Sequence, residues 1–147
     1  SLIPTDINKL EAKKGMYTCF CRESGGVIDD LFIFMNDPEN YYLVVNAGTM
    51  EKDFEWMEQH LIQGVELENL SHDTAKIDIQ GPESKSILQK LFGSPELDSL
   101  ERFFFYNDTF EGADIMISNT GYTGEAGYEL FISKEKAEKL WTDLMTM

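Results

Sequence analysis

Two adjacent carboxylates, Asp29 and Asp30, stand inside a run that otherwise reads as a buried strand, and this conflict constrains the fold more than any other feature. From Val27 to Met35 the chain is rich in β-branched and aromatic residues, with Gly25-Gly26 in front, so a strand entered from a turn is expected. Strand side chains alternate between faces, which places Asp29 with Val27, Leu31, Ile33 and Met35, and Asp30 with Ile28, Phe32 and Phe34. One carboxylate must then face an apolar surface, where an unpaired charge is costly. It is hydrogen-bonded to the protein, protonated, or waiting for a ligand that brings donors. A turn aspartate that solvates the strand entry accounts comfortably for Asp29 and poorly for Asp30.

The rest of the pattern forms two blocks. In the first, strands are expected at Met16 to Cys21, Val27 to Met35 and Tyr41 to Ala47, with turn chemistry at 23–26 and 36–40. Thr49 is placed to cap a helix over Met50 to Gln63, whose Phe54, Met57 and Leu61 share a face. Short strands follow at Val65 to Leu70 and Ala75 to Gln80, and Pro82 opens a helix that runs to Phe92. Beyond a Gly93 to Pro95 breaker come strands at Phe103 to Tyr106, Asp114 to Ser118 and Tyr128 to Ile132. A last helix starts at an N-cap on Ser133 and carries Ala137, Leu140, Trp141, Leu144 and Met145 as its apolar stripe. The expected class is α+β, with mostly antiparallel sheets and flanking helices. Two small sub-domains are expected: 1–70, strand-rich with one helix and carrying Asp30, and 71–147, carrying the loop from Gly121 to Glu129.

Charge and composition exclude several functions. With 27 acidic against 12 basic residues and a net charge of −15, a nucleic-acid surface is not expected, because phosphate neutralisation needs clustered cations. No apolar run approaches a membrane span and the N-terminus lacks the pattern of a signal peptide, so a cytoplasmic protein is expected. Cys19 and Cys21 fall on one strand face, where a mutual disulfide is awkward, and reduced thiols are expected. His60 and His72 are far from both cysteines in sequence, and no metal is expected.

A second candidate site is Gly121-Tyr122-Thr123-Gly124-Glu125-Ala126-Gly127-Tyr128-Glu129. Its three glycines suit positive φ or close backbone approach, and a rigid loop is expected. It is not a phosphate cradle: it carries Glu125 and Glu129, has no lysine, and leads into a strand. Glu129 alternates with Tyr128, Leu130 and Ile132, and its carboxylate could accept two parallel hydrogen bonds from an amino-pyrimidine-like ring edge, with Tyr122 flanking that ring. The plainer alternative makes Glu129 a solvent-facing strand residue. Tyr17 and the phenylalanines at 103 to 105 are read as core positions more readily than as ligand wall.

Taken in order and spacing, Tyr17-Thr18, the run Gly25 to Leu31, Val44-Val45-Asn46-Ala47 with Glu51-Lys52-Asp53, Gln80-Gly81-Pro82 and the Gly121 to Glu129 loop resemble one family. That family is the glycine cleavage T-protein, the tetrahydrofolate-dependent aminomethyltransferase, with its folate-binding relatives. The resemblance implies transfer of the one-carbon unit from the aminomethyl-lipoyl arm of H-protein to tetrahydrofolate, with release of ammonia. It implies that Asp30 is the key acidic, catalytic residue, and that Tyr17, Asp30, Phe103, Phe104, Tyr122 and Glu129 hold the folate. Both blocks would belong to one folate-binding unit, a fragment of the aminomethyltransferase fold that is inactive alone, since whole members are more than twice as long. A folate-dependent demethylase and a non-catalytic folate-binding protein are the alternatives within the same resemblance. Asn119 departs from the arginine or threonine common in the family.

Overall fold

The computed structural model describes residues 2–147 and divides into two units, Ser1–Asn69 and Leu70–Met147. The first unit is an antiparallel meander of β1 (Lys14–Cys21), β2 (Val27–Asp37) and β3 (Asn40–Val45), followed by α1 (Met50–Gln59). One face of this sheet carries Phe20, Leu31 and Ile33, which pack with Leu10, with Ile3 and Ile7 of the N-terminal segment, and with Trp56 and Met57 of α1. The alternation expected of β2 therefore holds. Its turn does too, for the Glu39 N–H donates to the Asp37 carboxylate at 3.0 Å.

The helix differs from the expectation in length and in face. It stops at Gln59, because Leu61 and Ile62 beyond it lie exposed and offer no burial to extend it. Its inward positions are Asp53, Trp56 and Met57, whereas Leu61 is exposed. Thr49 makes no capping bond, since its hydroxyl donates to Asp29 instead. Residues 65–70 form no strand: Val65 and Leu70 are exposed and no neighbouring strand pairs with them.

The second unit is a four-stranded antiparallel sheet in the order β4-β7-β6-β5, from β4 (Thr74–Gln80), β5 (Phe105–Phe110), β6 (Ala113–Ser118) and β7 (Gly127–Ser133). Three helices, α2 (Ser84–Phe92), α3 (Glu96–Ser99) and α4 (Lys134–Thr146), supply Leu88, Leu97 and Leu140 to a core with Ile77, Ile115, Ile117, Tyr128, Leu130 and Ile132. Gly93 ends α2 in the left-handed region at φ 64°, its N–H donating to Gln89. The aromatic run differs from expectation: Phe103 has φ 70° and the strand begins only at Phe105. Ser133 precedes α4 without a capping bond, its hydroxyl donating to the Glu135 carboxylate at 2.8 Å. Among the described residues, no helix is long and apolar enough to cross a membrane.

Candidate functional site

In the first unit, the two aspartates separate onto the two sheet faces as alternation requires, but their bonding reverses the expected assignment. Asp29, expected to be the solvated one, is fully engaged. Its Oδ1 accepts from the Asp30 N–H and the Asn46 side-chain amide, both at 2.9 Å, and its Oδ2 accepts from the Thr49 hydroxyl and from Lys52 Nζ at 3.4 Å. The Thr49 hydroxyl above all, aided by the Asp30 N–H, Asn46 and Lys52, holds its carboxyl well below the usual carboxylate range despite the opposing effect of burial.

Asp30 lies on the other face, with Phe32 next along β2 and Cys19 opposite it on β1. The Tyr17 hydroxyl donates to its Oδ2 at 2.5 Å, and Asn46 Nδ2 donates to its Oδ1 at 2.9 Å. A carboxylate offers about four acceptor positions, so each oxygen of Asp30 keeps one for an incoming donor. The Tyr17 ring is 62% exposed and the Phe32 ring lies tilted beside it, with centroids 6.3 Å apart. Asp30 and Tyr17 are thus brought together on a half-open aromatic face. Asn46, just past the end of β3, bridges both aspartates; it carries the constellation, and spacing alone did not mark it as a site residue.

Beneath this cluster, Asp53 is 0% exposed and, among the described residues, neither of its carboxylate oxygens accepts a hydrogen bond. Lys52 Nζ stands 3.7 Å from Oδ1. Burial, reinforced by the negative charge of Asp29, pushes its carboxyl above the ordinary value, with Lys52 opposing. Below the unfolded carboxyl pKa both states are protonated and no penalty exists; as pH rises, the unfolded chain ionises first and the fold loses stability. Asp53→Asn should therefore stabilise the chain by about 1 kcal/mol at neutral pH, with the gain vanishing in acid, as thermal melts at both pH values would report.

In the second unit, Glu129 lies on the face opposite Tyr128, Leu130 and Ile132, and it is 7% exposed, so the solvent-facing alternative is overturned. Its donors come from the protein. Lys76 Nζ reaches Oε1 at 2.5 Å, and the Thr120 hydroxyl donates to Oε2 while sharing a 2.7 Å bond with Ser118. Burial alone would lower the Lys76 pKa, but the Glu129 carboxylate outweighs it and holds it above the ordinary value. Neither Lys76 nor Thr120 stood out in the sequence, since Lys76 meets Glu129 through the β4-β7 register and Thr120 through the β6-β7 pairing.

The glycine loop is pinned rather than free. The Gln80 side chain fills the space where Gly121 and Gly127 would carry a Cβ, so close approach is what these two glycines serve, while Gly124 takes a positive φ of 85°. Ala126 O accepts from the Gly81 N–H at 2.8 Å and from the Ser84 hydroxyl at 3.2 Å, and Arg102 donates to Gly121 O at 3.2 Å. Tyr122, early in the loop, is 83% exposed. Phe103 and Phe104 are half-buried; the Arg102 guanidinium sits 4.7 Å above the Phe103 ring. Asn119 ties this segment down, its amide donating to Leu100 O at 3.0 Å and its N–H to Phe104 O at 2.9 Å.

Comparison with known proteins gives one consistent result. The family model described as the GCVT N-terminal domain matches residues 1–147. The chain is 43% identical over 141 residues to the aminomethyltransferase of Natranaerobius thermophilus, covering 95% of this chain and 38% of that protein. To the aminomethyltransferase of Halothermothrix orenii it is 42% identical over 144 residues, covering 98% of this chain and 40% of that protein. The crystal structure of the glycine cleavage system aminomethyltransferase T from Bartonella henselae superposes with a TM-score of 0.81 at 26% identity, over 98% of this chain and 38% of that one. The chain therefore spans about two fifths of the length of the curated relatives it matches.

Proposed function

The chain belongs to the GCVT N-terminal domain family, and from that premise we propose that it serves a tetrahydrofolate-dependent aminomethyltransferase of glycine cleavage. The reaction moves the methylene carbon of an aminomethyl group from the lipoyl arm of H-protein to tetrahydrofolate, giving 5,10-methylenetetrahydrofolate, ammonia and the dihydrolipoyl thiol. The observation that carries this reading is the Asp30 carboxylate, held by Tyr17 and Asn46 on a half-open aromatic face with acceptor capacity on both oxygens. Reduced thiols suit the cytoplasm as its compartment.

The Asp30 site of the first unit and the Glu129 site of the second each offer acceptors suited to a reduced pterin, and each is proposed on its own geometry. When bound, tetrahydrofolate supplies the nucleophilic nitrogens, and the chain supplies orientation and charge. Asp30 would accept from, and polarise, an N–H near the reacting carbon. Tyr17 and Asn46 would fix the carboxylate's direction, which is the part of the geometry that must not wander. Glu129, with one acceptor position left on each oxygen beyond Lys76 and Thr120, would take the amino-pyrimidine edge. Tyr122, Phe103 and Phe104 would supply aromatic surface.

A chimera in which residues 1–147 replace the matching region of the Halothermothrix orenii aminomethyltransferase tests this. It should form 5,10-methylenetetrahydrofolate from aminomethylated H-protein, and calorimetry should detect tetrahydrofolate binding. Glu129→Gln keeps the shape of the side chain and turns one acceptor oxygen into a donor, so folate affinity should fall about tenfold or more, in line with the roughly 1.5–3 kcal/mol of a charged hydrogen bond. Unchanged affinity would remove Glu129 from the site, and an inactive chimera that still folds would sink the proposed reaction.

A further inference from the structure

We propose that Cys19 and Cys21 form a reversible dithiol–disulfide site on the Asp30 face of the first unit's sheet, exchanging electrons with small-molecule disulfides and thiols. Their Sγ atoms lie 3.6 Å apart and both residues are half-buried, so the thiols are close to each other and within reach of a small reagent. Phe20 between them points into the core on the opposite face and is 1% exposed, which fixes the strand while both thiols face outward.

In a regular strand, residues two apart have Cα atoms about 6.6 Å apart, near the upper limit for a disulfide. The side chains nevertheless converge, with the two Sγ atoms in contact, and the register irregularity beside them lies on the partner strand, where Ile28 of β2 is passed over between Asp29 and Val27. β1 is also an edge strand of its sheet, so a small adjustment there disturbs one ladder and not two. The expectation that geometry disfavours this pair is thus weakened at this one position. Cys19 sits directly across from Asp30 in the register, so the bond would close beside that carboxylate.

The chemistry is ordinary exchange. The Cys19 thiolate attacks one sulfur of glutathione disulfide, releasing one glutathione thiolate and leaving a mixed disulfide on Cys19. The Cys21 thiolate then attacks Cys19 Sγ, the mixed bond breaks, and a second glutathione leaves. Two electrons and two protons pass from the cysteine pair to the glutathione disulfide, and excess glutathione reverses both steps. The contact with Cys21, then burial, raises the Cys19 thiol pKa, so oxidation should quicken as pH rises.

The full chain, equilibrated in glutathione redox buffers, quenched in acid and alkylated, tests this by intact mass. The folded chain should lose two hydrogens and both alkylation sites together, and its disulfide fraction at a fixed buffer ratio should be several-fold higher than in guanidinium. Cys19→Ser and Cys21→Ser should each stop at a single mixed disulfide. Free thiols or glutathione adducts alone in the folded chain, an equal disulfide fraction in the denatured chain, or loss of two hydrogens from either variant would each overturn the proposal.

Discussion

Asp30→Asn should reduce kcat of the chimeric aminomethyltransferase by about 10²- to 10⁴-fold, the range expected when a positioned acid–base or charge-placing group is neutralised. The substitution is isosteric, so the Tyr17 hydroxyl can still donate to the remaining oxygen and the sheet need not move. What is lost is the negative charge and one acceptor, which must now meet Asn46 Nδ2 with either an oxygen or a second amide. If the charge acts mainly in the transition state, kcat and kcat/KM fall together and the KM for tetrahydrofolate changes little. Asn46→Ala keeps the carboxylate but removes the bridge to Asp29 and Asp30, and a smaller loss is expected from it, because orientation suffers while charge remains. A kcat for Asp30→Asn within about twofold of the parent would leave Asp30 a structural residue. A far-UV spectrum and melt alongside the kinetics separate that outcome from misfolding.

How far these sites were legible in the sequence follows from how local their causes are. The alternation of β2 is local, and so the faces of Asp29 and Asp30 could be assigned from Val27 to Met35 alone. Which of the two would be saturated with donors was not local. Asn46, Thr49 and Lys52 arrive from beyond β3, and the order in which they reach Asp29 depends on where that strand stops, at Val45. The α1 face was legible only in part for a related reason: Met57 packs inward as its helical spacing predicts, but the sheet selects Trp56 beside it and leaves Leu61 exposed, and it buries Asp53, which composition would place outside. Residues 65–70 have the composition of a strand and no strand beside them, and composition cannot report a missing neighbour. In the second unit α2, α4 and the Gly93 stop were legible and the short α3 was not, whereas Lys76 and Thr120 became partners of Glu129 only through strand order. The family's motifs, read in order, pointed to the family, which periodicity could not.

Lys76 is the place where that strand order should show as stability. It stands between two carboxylates, with Nζ 2.5 Å from Glu129 and 3.4 Å from Asp78, and these two acids face each other across β4 and β7. Lys76→Met keeps the aliphatic stem and removes the cation, leaving Glu129 buried with the Thr120 hydroxyl as its remaining side-chain donor among these contacts. Breaking a fully buried pair costs about 3–5 kcal/mol, but the Lys76 side chain is 35% exposed and solvent screens part of the interaction, so a loss of about 1–3 kcal/mol at neutral pH is expected. The sign of its pH dependence follows from both partners. The raised Lys76 pKa means that its contribution is present at neutral pH and fades only as pH rises through the folded value in alkali. The deficit of the variant should instead shrink in acid, where Asp78, its carboxyl pushed above the ordinary value by burial above all, is protonated and loses the charge that Lys76 compensates. Adding Glu129→Gln to Lys76→Met should restore part of the loss at neutral pH, because a neutral amide needs no cation. Urea unfolding of the four chains at neutral and acid pH closes the cycle. Strictly additive effects at neutral pH would show that Lys76 and Glu129 do not act as a pair.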